Sequence, residues 1–394
     1  MYEGLGPVAR VVLPDGQQAH LVTGYRECVK VLRDESLFAR GSTGDLPTAD
    51  GITPYPVTEP TLMAMDGKRH RRVRGLAGNT FGPASIDRYR PMVETLTHRL
   101  LDEMLSEPGP VELNQRLGMP LTLGIIGDVI GVPGRDLPRF ATWGDLFLSA
   151  GPDGRDDNRR AMEEMVEYMA QHIGARMSSP DSAPADELMT SIAVRTAAQI
   201  AENPDEAEQI MTDAVVFAAS LVIAGWETTA AAIAAFVFRL LTGRGQDGQT
   251  LYRQLCVRPD RIADAVEELL RTTPNSVFDT AQPRRARAGT ELGGVRVEAG
   301  DLVIPAIDRA NRDPRRFPAQ ERLDFENTAK PHLGFGDGPH VCMGAPLARL
   351  ELNVVLEVLT RRVPSLRLHT APHDVVWNTA TTIRRPAELW VEPA

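Results

Sequence analysis

The sequence predicts a mainly α-helical fold in one domain, with small peripheral β-sheets. Three observations predict it. Residues 67 to 240 follow a helical period almost throughout, broken only by the turn-rich pieces "GVPGRD", "GPDGRDD" and "SSPDSAPAD". Within that region "AVVFAASLVIAGWETTAAAIAAFVF", between Asp213 and Arg239, carries one charge, Glu227, at its middle. Strand patterns are confined to the N-terminal part and to the region after Pro274.

Taken in order, residues 8 to 32 alternate apolar and polar around the turn "PDG" and predict two short strands leading into a helix. "GSTGDLPTADGITPYPVTEP", from Gly41 to Pro60, is rich in turn formers and has no period, so it reads as a long surface loop of the kind that lines binding sites. The apolar stretch around Glu227 is long enough to span a membrane. The central carboxylate and the abundance of alanine instead predict a helix buried through the middle of a large domain. A carboxylate so placed must be paired, protonated or wetted. "ELGGVRVEAGDLVIPA" alternates through a Gly-Gly turn, as a hairpin does. From Ala345 onward, "APLARLEL" with Pro346 in the first turn predicts a helix start.

The totals narrow the class. A chain of 394 residues could hold two or three ordinary domains, but no repeat and no separating linker is visible, so one domain over 1–394 is expected. "MYEGLGPVARVVLPDG" lacks a basic start and an apolar run, so no secretory leader is expected. Three scattered cysteines, Cys28, Cys256 and Cys342, cannot make a disulfide framework, which points to a reducing cytoplasm. A net charge of -10 argues against general nucleic-acid affinity. Only Lys30, Lys68 and Lys330 among 43 basic residues are lysines, a bias typical of a GC-rich bacterial genome.

The chemistry concentrates in "HLGFGDGPHVCMGAPLARLEL", residues 332 to 352. Glycines at 334, 336 and 338 allow close approach and unusual backbone geometry. Cys342 then falls where unpaired backbone N–H groups gather at a helix start, a place that favours an anion such as a thiolate. A buried structural cysteine, or a metal site shared with His332 and His340, would be the alternatives; zinc lacks enough partners at the usual spacing.

Phe335, Gly336, Gly338, His340, Cys342 and Gly344 spell F-G-x-G-x-H-x-C-x-G. With this pattern and "AGWETT" at 224 to 229, the chain resembles the cytochrome P-450 family, haem-thiolate monooxygenases of the soluble bacterial kind, from about the first strand to the C-terminus. The resemblance implies haem b, with Cys342 as axial ligand to iron; a thiolate there pushes electron density toward the metal. Phe335 would shield the sulfur, and Gly336 and Gly338 would let the loop pass close to the porphyrin. Ala224 and Gly225 would face the haem, Gly225 leaving space for dioxygen. The Thr228 hydroxyl would bond back to the Ala224 carbonyl, and Glu227 with Thr228 would relay protons. Trp226 would pack against a neighbouring helix.

Further positions follow from the same resemblance. His70, Arg74, Arg284 and His340 would hold the haem propionates. Glu268 and Arg271, at i and i+3, would form a structural network completed by Arg322 of "FPAQER". Asn327 departs from the arginine that many relatives carry. Residues 41 to 64, the region near 140 to 180, Val222, Ala224 and "NSVFDT", with Val277 and Phe278 foremost, would line a substrate pocket. No fused flavin or iron–sulfur module is visible, so a separate ferredoxin and ferredoxin reductase are expected, the ferredoxin docking on Lys68, Arg69, Arg71, Arg72 and Arg349. The implied activity is insertion of one dioxygen atom into an organic small molecule, or related oxidative tailoring such as desaturation or aromatic coupling, with a GC-rich source favouring a natural product. A monomer without membrane or nucleic-acid contact is expected. A peroxide-driven haem-thiolate enzyme would lack the acid–alcohol pair, and a non-catalytic haem-binding protein would need only Cys342.

Overall fold

The computed structural model describes residues 6–13, 16–40, 61–106, 108–148, 155–179, 184, 187–274, 283–318, 323, 325, 331–378 and 383–393. The loop expected over Gly41–Pro60 lies outside them, as do Val277, Phe278, Arg322 and Asn327.

The N-terminal alternation forms strands β1 (Val8–Val12) and β2 (Gln18–Val22), followed by helix α1 (Tyr25–Arg33) and the short strand β3 (Phe38–Arg40). Helices α2 (Gly67–Gly75), α3 (Pro83–Ile86) and α4 (Arg90–Leu105) come next, then strand β4 (Val111–Glu112). The helical region continues through α5 (Met119–Ile130), α6 (Leu137–Leu148), α7 (Arg155–Ser178), α8 (Leu188–Glu202) and the 36-residue α9 (Ala207–Thr242). Two shorter helices, α10 (Leu251–Val257) and α11 (Ile262–Thr272), precede strands β5 (Arg284–Ala286), β6 (Thr290–Leu292), β7 (Val295–Val297) and β8 (Leu302–Pro305). Helix α12 (Ile307–Ala310) leads to the cysteine loop and α13 (Ala345–Arg362), and strands β9 (Arg367–Leu368) and β10 (Trp390–Glu392) close the chain.

Helix α9 is long and apolar enough to cross a membrane, yet most of its surface is buried against protein. It packs on α5, α7, α8 and α13. Helix α5, "MPLTLGIIGDVI", is apolar nearly all round, so it can lie between α9 and its other neighbours. It ends on Gly131, whose φ of +90° only glycine adopts without strain.

The peripheral strands make a five-stranded sheet in the order β1-β2-β8-β5-β3, a three-stranded sheet β4-β10-β9, and the hairpin β6-β7. The hairpin turns on Gly293 and Gly294, both at positive φ, as its sequence predicted. A second, smaller core of Val22, Cys28, Val31, Phe38, Val303 and Leu333 joins the five-stranded sheet and α1 to the first residues of the cysteine loop. That cluster fixes the loop's position before any polar contact is considered.

Candidate active site

The loop before α13 is held by its own backbone. The Cys342 N–H donates to the Phe335 carbonyl at 2.8 Å, and the Gly336 N–H donates to the Leu333 carbonyl at 2.8 Å. Gly336 and Gly338 have φ of +73° and +71°. At Gly338 the space a side chain would need is already taken by α1: a Cβ would come within 2.5 Å of the Leu32 carbonyl oxygen. Gly338 thus lets the loop seat on α1.

Beyond the loop, the Cys342 sulfur lies against the backbone N–H groups of Gly344 and Ala345 at the start of α13. Burial pushes the thiol up from its ordinary pKa, while these N–H groups, Arg74 and Arg349 pull it down without cancelling that effect. Cys342 lies deep in the protein and still carries accessible surface, so its exposure is toward an internal opening.

Two adjacent glutamates of "EELLR" brace this loop in different ways. Glu268 pairs bidentately with Arg271 at 2.7 and 2.6 Å, both residues being buried, and Arg271 also donates to the Asn311 carbonyl at 2.7 Å and lies 4.7 Å over the Phe317 ring. Glu267 was not singled out from sequence. It accepts from Arg349 at 2.6 and 2.9 Å and lies 3.2 Å from the His332 ring nitrogen. Burial alone would raise its pKa, but the bonds to His332 and Arg349 outweigh that and hold it at about 2. Arg349 in turn stacks 4.6 Å over Phe335, so the loop is clamped from α11 and α13 together.

On α9, Leu221, Ala224, Gly225 and Thr228 form a stripe of accessible surface, while Val222, Ile223, Trp226 and Glu227 are buried. The Thr228 hydroxyl donates to the Ala224 carbonyl at 2.6 Å. One expectation changes here. Val222 is packed in the main core and not on the accessible stripe, because it stands two residues before Ala224 and so faces the other side of the helix. Gly225 is also required by packing: a Cβ would come within 2.6 Å of Ile126 Cδ1 on α5.

Trp226 packs between helices. Its ring blocks any side chain at Gly144 of α6, and its indole N–H donates to the Met119 carbonyl at 3.1 Å. Glu227 forms an ion pair with Arg385, Nε to Oε1 at 2.8 Å. Nothing local in the sequence marks Arg385, which stands 158 residues downstream.

The four expected anion-binding residues gather on one side. His70 of α2 is 1% exposed, and neither ring nitrogen has a hydrogen-bond partner. Its ring lies 4.1 Å from that of His340. Burial first, then the charges of His340 and Arg74, bring its pKa down to about 4. Arg74 donates to the Val341 carbonyl at 2.7 Å, and Arg284 is 2% exposed with its pKa lowered to about 10 by burial. Two residues not anticipated stand with them: Arg40 at the end of β3, and Asp66, whose Oδ1 lies 3.4 Å from His340 Nε2.

The surface patch expected to receive a ferredoxin is largely neutralised within the chain. Arg69 and Arg72 both pair with the buried Asp213, Arg72 also with Glu206, Arg71 with Glu35 and Arg349 with Glu267. A separate cleft of about 380 Å³, lined by Arg244, Leu255, Arg258 and Phe325 among others, shares no residue with the groups above.

A family model described as Cytochrome P450 matches residues 262–382, from α11 past the cysteine loop. Over 386 residues the chain is 36% identical to the mycinamicin IV hydroxylase/epoxidase of Micromonospora griseorubida, covering 97% of this chain and 91% of that relative. The chain belongs to the cytochrome P450 family. This P450 is also 32% identical to the nocardicin C N-oxygenase of Nocardia uniformis subsp. tsuyamanensis, over 97% of this chain and 92% of the other. Its fold matches a crystal structure of a cytochrome P450 with biaryl coupling reactivity at a TM-score of 0.82 and 32% identity, over 98% and 93% of the two chains.

A P450 uses haem b and is an oxidoreductase that acts on small organic substrates with dioxygen and redox partners. The residues present fit that cofactor. Cys342 offers a sulfur flanked by N–H donors beside an internal opening, and His70 is a buried donor left without an acceptor next to a cluster of arginines. An anionic group is what such a cluster lacks.

Proposed function

We propose that this P450 is a monooxygenase tailoring a bacterial natural product in the cytoplasm, as a single-domain monomer supplied with electrons by a separate ferredoxin and ferredoxin reductase. The observation that carries the reading is the acid–alcohol pair on α9: Glu227 held by Arg385 and Thr228 bonded to the Ala224 carbonyl on the accessible stripe. Relatives that hydroxylate, epoxidise, N-oxygenate or couple rings support an oxidative tailoring role.

Haem b, held by Cys342, supplies activation of dioxygen for oxidation of the organic substrate. The chain's own groups do the rest. Backbone N–H groups of Gly344 and Ala345 stabilise negative charge on the sulfur, Arg74 and Arg284 would neutralise the propionates, and His70 and His340 would donate hydrogen bonds to them. The back-bond from Thr228 draws its hydroxyl toward the helix carbonyl and loosens the turn there. Glu227 takes up a proton at its carboxylate and gives it to the Thr228 hydroxyl oxygen, which releases its own proton to the accessible side of α9 in the same step, while Arg385 holds the carboxylate in place. Buried walls of α5 and α9 exclude bulk water from the remainder of the helix.

The test is turnover with surrogate ferredoxin and reductase, screening natural products that include mycinamicin IV and nocardicin C for a blue shift of the Soret band. Oxidised product in the wild type, with peroxide released in its place by Thr228→Ala, is the expected result. Equal product from both proteins, or product formed only when peroxide is added, would overturn the reading.

A further inference from the structure

Strand register places two arginines face to face. Strand β3 pairs antiparallel with β5 so that Phe38 lies opposite Ala286 and Arg40 lies opposite Arg284. Directly opposed residues on neighbouring strands project to the same side of the sheet, and like charges in that relation repel. Arg284 is 2% exposed, and the Nε and Nη2 atoms of Arg40 are buried with no hydrogen-bond partner. Burial, then the charge of Arg284, push the Arg40 guanidinium well below its ordinary pKa. Buried guanidinium N–H groups without an acceptor are destabilising, so the two on Arg40 call for an anion in the working form.

The only carboxylate recorded among these groups in the described residues is Asp66. Its Oδ2 accepts from the Arg40 backbone N–H at 2.7 Å and lies 3.5 Å from Arg287, and its Oδ1 faces His340. Asp66 thus serves the Arg40 backbone, not its side chain. Against this single negative charge stand the guanidinium groups of Arg40, Arg74 and Arg284. With Arg287, which also faces Asp66, positive charge is in surplus among these described groups, as an anionic partner requires.

We propose that Arg40 binds a haem propionate, as a fifth residue beside His70, Arg74, Arg284 and His340, and that it offsets the charge Asp66 removes from the cluster. The inference rests on the haem reading above and extends it to a residue at the end of a strand that no sequence motif marks. Asp66 then has a positioning role, tying β3 to α2 through the Arg40 backbone and orienting His340.

The experiment follows haem transfer from the ferric holoprotein to excess apomyoglobin, for wild type, Arg40→Lys and Arg40→Gln, together with the ferric/ferrous reduction potential. Loss of a charge-assisted bond should speed transfer by roughly ten- to hundredfold in Arg40→Gln, with Arg40→Lys between it and wild type. The potential of Arg40→Gln should move to more negative values, since a positive charge beside the cofactor is gone, while Arg40→Lys stays near wild type. A purely structural arginine would leave the potential unmoved. Equal transfer rates and equal potentials in all three proteins overturn the proposal. Should Arg40→Gln not accumulate with haem, Arg40→Lys alone decides: transfer severalfold faster than wild type supports it, and an unchanged rate overturns it. The carbon monoxide spectrum of the wild type separates the two readings, because its failure would remove the haem-thiolate assignment itself, whereas its success with unaltered Arg40 variants would remove only this proposal.

Discussion

Glu227, which is buried, and Arg385, which is partly so, form an ion pair that ties the middle of the central helix to the last segment before β10, with 2.8 Å between Nε and Oε1. Arg385 also donates to the carbonyls of Pro386 and Ala387 at 3.2 Å, so the guanidinium is anchored to its own segment and reaches out to the helix. The carboxylate assigned to proton delivery is therefore fixed by a residue far away in sequence.

Removing one member of this pair strands the other. Arg385→Gln is expected to destabilise the holoprotein by about 3–5 kcal/mol. Glu227→Gln combined with Arg385→Gln should recover part of that loss, since no charge is then left buried alone. Thermal and denaturant unfolding of the four proteins measures the coupling. Strict additivity of the two single changes would contradict the ion pair as described.

The Glu268–Arg271 pair gives a second prediction. Arg271→Ala leaves Glu268 without its two bonds, the Asn311 carbonyl without a donor and Phe317 without its cation, and should cost on the order of 3–5 kcal/mol. Turnover per bound haem in the folded fraction should change far less than stability. A variant as stable as wild type would show that the network does not support the loop.

Packing at Gly225 yields a sharper test. Gly225→Ala drives its methyl into Ile126 and should cost about 1–3 kcal/mol. Pairing it with Ile126→Val, which shortens the clashing arm, should restore part of the loss. Unchanged stability in Gly225→Ala, or no rescue by Ile126→Val, would contradict this packing.

Glu267 sets an acid limit. Its carboxyl pKa is lowered from 4.5 to about 2 by His332 and Arg349 against the effect of burial. A group whose pKa falls on folding contributes stability that is complete above the unfolded value, here above about pH 4.5, and is lost as pH drops toward 2. The melting-temperature gap between wild type and Glu267→Gln should thus be constant above about pH 5 and narrow below it. A gap that stays constant down to pH 3 would mean that Glu267 is not held ionised by its partners.

Local signals carried most of the fold and the heart of the site. Alternation and the Gly-Gly turn marked the β6–β7 hairpin, and a single charge within an apolar run marked α9. The glycine-rich turn with Cys342 ahead of α13 was equally plain, because a thiolate, left-handed glycines and a helix start are all neighbours in sequence. What stayed hidden depends on register and long-range contact. Arg40 meets Arg284 only once β3 pairs with β5, Arg385 meets Glu227 across the domain, and the buried Asp213 neutralises Arg69 and Arg72 from a different helix. Gly225 and Gly338 were legible as small residues, but which neighbour needed the space was not.

The whole account depends on sulfur ligation by Cys342. The direct measurement is the absorption spectrum of the dithionite-reduced protein under carbon monoxide, for wild type and Cys342→Ser. The wild type should show a band near ~450 nm, as thiolate-ligated haem does, and Cys342→Ser should lack it. Absence of that band in the wild type, or its persistence after the sulfur is removed, would contradict the assignment.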